Sequence, residues 1–343
     1  MSQLMEMARV TLFGSSNTGQ RSFEPARDIP SLSGKVVLIT GAAGDLGRQT
    51  AVELARYGRP ARIYVADLPR DAKVKNEVIE RIQEEIQGGR PSSNDSEHET
   101  TEVRFLDLDL TVFASVRQCA AEFLAQEQRL DILVLNAGII SANTGMTKEG
   151  YEKHFGLNYL GHALLSRLLL PPMLSTVEQH PGADVRVVVV SSEGHAVAPA
   201  GGIQFDKLKT DCTDMSYAQR YGQSKLALIG LARELAQRHP SLTIAAVHPG
   251  RILTGMATTL SKESLLVRLT APLAPLVCVP VSVGIKTHLW AATSSNVVSG
   301  KYYEPVGVPD KESNYAKDID LSRRLWECTD QELGSAGLLK EDI

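Results

Sequence analysis

The sequence predicts an α/β fold, a single Rossmann-like domain built on a doubly wound parallel sheet with helices on both faces. Strand-like apolar runs alternate with helix-like stretches along most of the chain, and a glycine-spaced turn joins the first run to the helix after it. No linker rich in Pro, Gly or Ser divides the core, so the 343 residues read as one folded unit with extensions.

The strand-like runs are 35–40 (KVVLIT), 61–67 (ARIYVAD), 102–108 (EVRFLDL), 130–136 (LDILVLN), 184–192 (DVRVVVVSS) and 242–250 (LTIAAVHPG). Unbroken apolar runs of this kind suit parallel strands covered on both faces. Between them, RQTAVELARYG, FASVRQCAAEFLAQEQ, ALLSRLLLPPML and SKLALIGLARELAQRH place their apolar residues at helical intervals. Segment 88–101 is polar and turn-rich and reads as a surface loop. These features divide the chain into an extension at 1–33, a nucleotide-binding catalytic domain at 34–304 and a tail at 305–343. Within the domain, residues 255–300 are rich in Leu, Val and Pro and poor in charge, which suits a lid over an apolar ligand.

Hydrophobic residues make up 43% of the chain and charged residues 22%, enough apolar material for a large core, which excludes general disorder. The 36 basic and 40 acidic residues leave a formal charge of −4, so no overall field draws the protein to nucleic acid or anionic membrane. Cys119, Cys212, Cys278 and Cys328 lie far apart, without zinc-type or disulfide-framework spacing, so a reducing compartment and no metal are expected. The N-terminus lacks a signal-peptide apolar stretch, which implies a cytoplasmic location. The apolar tract 265–285 has the length of a membrane span, yet Arg268 and three prolines interrupt it, so no crossing is expected. It reads instead as short helices, as part of the lid, or as a surface touching a membrane or a second subunit.

The turn TGAAGDLG contains Thr40, Gly41, Gly44, Asp45, Leu46 and Gly47. Glycines at this point let backbone approach a pyrophosphate that faces the helix N–H groups. Asp45 is an acid where an anion would sit. As a short acid at a helix start it is expected to cap the helix instead. Asp67 ends the second run, where a carboxylate accepts from adenosine ribose hydroxyls and repels a 2′-phosphate, which favours NAD. Arg70 and Lys73 follow closely and keep NADP open.

Tyr221 and Lys225 stand four residues apart at the start of a helical pattern, which puts phenol and ammonium on one face. A phenol titrates near pH ~10 and needs a neighbouring cation to act as a base near neutrality. Tyr217 has Tyr221 rather than a lysine four residues on and is the weaker candidate.

With the glycine turn, Asp67, LDL (108–110), LNAG (135–138), NYLGH (158–162), VVVVSS (187–192), YGQSK (221–225) and HPGRILT (248–254) in this order, the chain resembles the short-chain dehydrogenase/reductase family. The resemblance spans about residues 33–304 and is closest to retinol-dehydrogenase-like and fungal members. It implies Tyr221 as general acid/base, Lys225 as the group that lowers its pKa and holds the nicotinamide ribose, Ser192 as the donor to substrate oxygen, and Asn158 as the organiser of a water in the proton relay. Asp109 is implied beside the adenine, and Asn136, Ala137 and Gly138 along the cofactor. Pro249, Gly250, Ile252 and Thr254 are implied around the carboxamide. An apolar carbonyl or secondary alcohol is the expected substrate: a polyketide, terpenoid or steroid-like intermediate of specialised metabolism, or alternatively a retinoid. A homodimer is common in the family, although the tail could cover the surface it would use. Two other classes stand beside this reading. A redox-inactive nucleotide-binding scaffold is opposed by the intact Ser192, Tyr221 and Lys225. An epimerase of the extended branch is opposed by the short stretch after Glu304. His154, His162, His195 and His248 show no metal-ligand pattern; three are expected in packing, and His195 either contacts substrate or holds a turn.

Overall fold

Branched and aliphatic residues with no polar face have to be covered on both sides, and the sheet provides this. The computed structural model describes residues 23–88, 100–252, 260, 262–263 and 278–338. Its strands are β1 (Val36–Thr40), β2 (Arg62–Asp67), β3 (Glu102–Asp107), β4 (Ile132–Leu135), β5 (Arg186–Val190), β6 (Thr243–Val247) and β7 (Tyr302–Tyr303). Among the described residues they form one seven-stranded sheet in the order β3-β2-β1-β4-β5-β6-β7, with every pair parallel. The order reverses between β1 and β4, which leaves a crevice at their C-terminal ends, where such sheets bind ligands.

Strand alternation sorts the core into two layers. Val36 and Leu38 face one layer, with α4 (Phe113–Gln126), α5 (His162–Gln179), α6 (Tyr217–Arg238) and α9 (Ile319–Ser335). Val37 and Ile39 face the other, with α2 (Asp45–Glu53), α3 (Ala72–Gly88) and α7 (Val281–Thr293). Two short helices, α1 (Pro25–Asp28) and α8 (Asn314–Lys317), lie near the ends of the described chain.

Three boundaries differ from the sequence expectation. The core begins before Gly34: Phe23, Ile29 and Leu32 are buried, and the Leu32 side chain fills the space beside Gly58, where a Cβ would meet it at 2.6 Å. Residues 281–293 of the expected lid are instead the core helix α7, whose Ile285 and Leu289 pack against β5 and α2, so burial in the body explains their apolar character. Residues 253–259, 261 and 264–277 lie outside the described residues, as do 1–22, 89–99 and 339–343. The tail is part of the body: α9 packs on α6 and buries Leu325, Trp326 and Leu333. Arg167 and Arg238 flank Trp326 at 4.1 and 4.6 Å from its ring centroid. Among the described residues no helix is long and apolar enough to cross a membrane.

Candidate active site

The three glycines of the first turn have different jobs. Gly41 has φ 67°, and a Cβ there would lie 2.9 Å from Ala137 Cα. A Cβ on Gly47 would lie 2.6 Å from the Gly41 carbonyl oxygen. Both are needed for chain packing. Gly44 is different: a Cβ there would meet only the Gly41 oxygen at 3.4 Å, and the residue caps α2 with extended φ −85° and ψ 170°. The turn therefore leaves bare backbone and the N-terminus of α2 at the mouth of a cleft of about 410 Å³, lined by Gly44, Asp45, Leu46, Asp67, Asn136 and Ile139 among others. This fits a diphosphate. Asp45 is not the cap. It is the first helical residue, where its charge favours the helix start, and it borders the same cleft.

The braces around this turn come from residues expected to touch a cofactor. The Asp67 carboxylate accepts from the N–H groups of Ala43 (3.0 Å) and Leu68 (2.9 Å), and Arg70 approaches it at 3.4 Å. Arg70 lines the cleft, whereas Lys73 pairs with Glu77 at 3.9 Å in solvent. Thr40 is fully buried and does not line the cleft: its Oγ1 accepts from the N–H groups of Asn136 and Ala137, both at 2.9 Å. The Asn136 amide donates to the Thr40 carbonyl at 2.8 Å. Asp109 departs from its expected place as well. Its carboxylate accepts from the Thr111 N–H and hydroxyl at 2.9 and 2.6 Å, closing a turn, while its neighbours Leu108 and Leu110 line the cleft.

At the other end, β5 delivers Ser192 and α6 delivers Tyr221 and Lys225. Ser216 and Gln219 form a reciprocal capping box that starts α6, so Tyr221 sits in its second turn and Lys225 one turn on. The hydroxyl of Ser192 accepts from the Gly194 N–H at 3.1 Å and is close enough to the Tyr221 phenol to pull its pKa down. Lys225 Nζ donates to the Val190 carbonyl at 2.9 Å and lies 5.7 Å from the Tyr221 ring centroid. Burial pushes the lysine down to about 7. The same burial pushes the phenol up, while Ser192 pulls it down. Burial therefore acts on both groups in opposite directions, and Lys225 stands within reach of the phenol's ring.

Asn158 lies in a π-helical turn (Phe155–Gly161) that leads into α5. Its Oδ1 accepts from the Ile139 N–H at 2.8 Å, and its Nδ2 donates to the Ile139 carbonyl (3.1 Å) and Ser224 Oγ (2.9 Å). These bonds hold the strand-end segment against α6. A Cβ on Gly138 would sit 3.3 Å from Asn158 Oδ1 and 3.4 Å from Lys225 Nζ, so this glycine brings the segment onto both groups.

Gly194 and Gly222 have no place in the sequence reading. A Cβ on Gly194 would lie 2.9 Å from Tyr221 Cε1, and one on Gly222 would lie 2.7 Å from the Gly194 oxygen. The only sequence signal is their position, beside Ser192 and Tyr221. Pro249, Gly250 and Ile252 follow β6; Gly250 has φ 92°, and Ile252 bridges to Val279. None of the three lines the cleft described above, and Thr254 lies outside the described residues.

The histidines are assigned by their bonds. His162 donates from Nδ1 to the Asn158 carbonyl (2.8 Å) and receives the Thr40 hydroxyl at Nε2 (2.9 Å), a neutral form that burial stabilises by holding it down to about 4. His195 donates from Nδ1 to the Ser192 carbonyl (2.7 Å) and accepts from the Ser313 N–H at Nε2 (3.0 Å), which is the turn role. His154 accepts from the Ser141 N–H and bonds the buried Glu152. His248 is buried, and its Nδ1 has no partner.

A parallel sheet with a glycine-turn cleft at its switch point, and a Ser-Tyr-Lys group beside it, defines an NAD(P)-dependent oxidoreductase. The chain belongs to the short-chain dehydrogenase/reductase family: the short chain dehydrogenase family model matches residues 35–204. It is 37% identical to an uncharacterized oxidoreductase of Schizosaccharomyces pombe, over 81% of this chain and 79% of that protein. Retinol dehydrogenase 12 of Mus musculus is 36% identical, over 88% and 87%. A crystal structure of a putative uncharacterized protein from Mycobacterium paratuberculosis superposes with TM-score 0.63 at 28% identity, over 89% of this chain and 96% of that one.

Proposed function

We propose that the protein interconverts a carbonyl and a secondary alcohol on a fairly apolar small molecule, with Tyr221 as general acid/base. The observation that carries this reading is the convergence of Ser192, whose hydroxyl pulls the Tyr221 phenol down, with Tyr221 and with Lys225 one helical turn on. A bound nicotinamide supplies or accepts hydride. The chain supplies the rest. Oxygen gains negative charge as a carbonyl is reduced, and Ser192 and Tyr221 are donors to that oxygen. Tyr221 then gives its proton to the alkoxide, or removes the alcohol proton in the reverse direction. Lys225 and the backbone of Asn136, Ala137 and Gly138 hold the cofactor's ribose side, and Asn158 orders the path by which Lys225 exchanges its proton. Gly44, Leu46 and the start of α2 hold the diphosphate.

NAD is the preferred cofactor in this reading, because the Asp67 carboxylate stands at the end of β2, where it repels a 2′-phosphate. Arg70 beside it offsets part of that charge and is the group through which NADP would bind. For the substrate, the apolar, charge-poor sequence of 255–280 supports a polyketide, terpenoid or steroid-like intermediate of fungal specialised metabolism. The similarity to a retinol dehydrogenase supports a retinoid as the second candidate. A cytoplasmic location belongs to the same reading. Because α9 lies on α6, a homodimer would have to use another face of the molecule.

The test is turnover of grouped steroid, polyketide and retinoid carbonyls with NADH and with NADPH, followed by nicotinamide absorbance. Tyr221→Phe should lower kcat by about 10²- to 10⁴-fold with cofactor affinity retained. Unchanged turnover in that variant would sink the assignment, and a strong preference for NADPH would show that Arg70 overrides Asp67.

A further inference from the structure

We infer that Glu193, His248 and Glu304 form a binding site for a first-row divalent cation of the Mn²⁺ or Zn²⁺ type. The fold assembles it from three distant parts of the chain. Val190, Val247 and Tyr303 are paired across β5, β6 and β7, so His248 and Glu304, the residues directly after β6 and β7, come side by side. Glu193 opens the turn that follows Ser192. One donor atom from each of the three lies within 4.8 Å of the other two.

The donors are the right kind and are available. His248 is only 5% exposed, and its Nδ1 has no hydrogen-bond partner. One nitrogen of this buried ring lies within 4.8 Å of both carboxylates, and a neutral imidazole can give that nitrogen's lone pair to a cation. Carboxylate oxygens with a neutral imidazole make a ligand set for Mn²⁺ or Zn²⁺, at bond lengths of about 2.0–2.2 Å for zinc, so each donor has to move inward by roughly half an ångström. Outer partners already orient the acids. The Tyr302 hydroxyl donates to Glu304 Oε2 at 2.6 Å, and Arg251 forks onto the two oxygens of Glu193.

Arg251 is also the competitor. It acts on both carboxylates, and Lys311 also acts on Glu304, so a divalent ion has to compete with two cations for these acids. A bound ion would tie the residue next to Ser192 to the ends of β6 and β7. It would take no part in hydride or proton transfer, and its presence is independent of the substrate reading.

The test uses the full chain, stripped of metal by chelator and titrated with Mn²⁺ followed by electron paramagnetic resonance, with Zn²⁺ in a parallel calorimetric titration. Mn²⁺ discriminates against the free cysteines, which favour softer ions. One ion should bind per chain. Glu304→Gln, nearly isosteric, should weaken binding by about tenfold or more, with an unchanged thermal melt of the metal-free protein as the fold control. Arg251→Met should tighten binding by freeing Glu193. Equal affinity in Glu304→Gln and the unsubstituted protein would overturn the site. So would absence of binding at millimolar ion in both the unsubstituted protein and Arg251→Met, which would leave Arg251 as the permanent counter-ion of this pair.

Discussion

Lys225 buries an amine that, among the described residues, hydrogen-bonds only a carbonyl, and the consequence is a pH-dependent stability. Its pKa in the fold is about 7, against 10.5 for the free side chain. Below 7 both folded and unfolded forms carry the proton and the cost of burying charge is complete. Between the two values the unfolded chain binds more protons, so stability rises with pH, by at most about 1.4 kcal/mol per unit. Lys225→Met removes that rise. Urea midpoints at pH 7 and pH 9 should therefore converge in the variant relative to the unsubstituted protein, and identical pH slopes would show the amine is not desolvated as described. The glycines of the first turn give a second test at this scale. Gly47→Ala puts a Cβ into the Gly41 carbonyl and should destabilise the fold or displace the turn, while Gly44→Ala has room. Melting temperatures separate the two; equal losses would mean that Gly44 is packed as tightly as Gly47. Residue identity was largely legible here. Ser192, Tyr221 and Lys225 do come together, because strand-end and helix-start positions are readable from apolar runs and spacing. For Thr40 and Asp109 the sequence leaves out something physical: a motif shows that a polar side chain is present but not whether its bonds go to a ligand or, as here, to neighbouring groups of the chain.

At the scale of elements, each of the six apolar runs contains a strand, trimmed by one to four residues at its ends. β7 has only two residues, too few for a periodic signal, and its role becomes visible only through pairing with β6. α3 escaped the sequence reading although Val74, Val78, Ile82 and Ile86 recur at four-residue spacing, because charged residues dilute the stripe. The reverse error occurred at 281–293, where an apolar helix suggests a ligand lid just as well as it suggests a core. Composition cannot separate the two, since a core and an apolar pocket attract the same side chains. The prolines read inside a helical stretch, Pro171 and Pro172, do lie within α5, which runs on to Gln179; surrounding burial outweighs the local preference.

For the whole molecule, the C-terminal helix is the main addition to the predicted body. Trp326 is 8% exposed and lies between two guanidinium groups, so Trp326→Ala removes a large apolar side chain and two cation contacts at once. A loss of about 3–5 kcal/mol is expected, read as a lower urea midpoint. A change within about 0.5 kcal/mol would mean that α9 docks without it. The domain boundary at 304 was not readable, because amphipathic α9 looks the same from sequence whether it covers its own α6 or a second copy.

The link between Ser313 and His195 gives this tail a role in time as well as in space. His195 grips the Ser192 carbonyl through one nitrogen and waits on a main-chain N–H from residue 313 at the other. During synthesis the strands and the helix bearing Tyr221 emerge first, and domains begin to fold from the N-terminal side. The last tie on Ser192 can close only after residue 313 has been made. A chain released early would carry every catalytic side chain proposed above and still lack the bond that holds the serine turn in place.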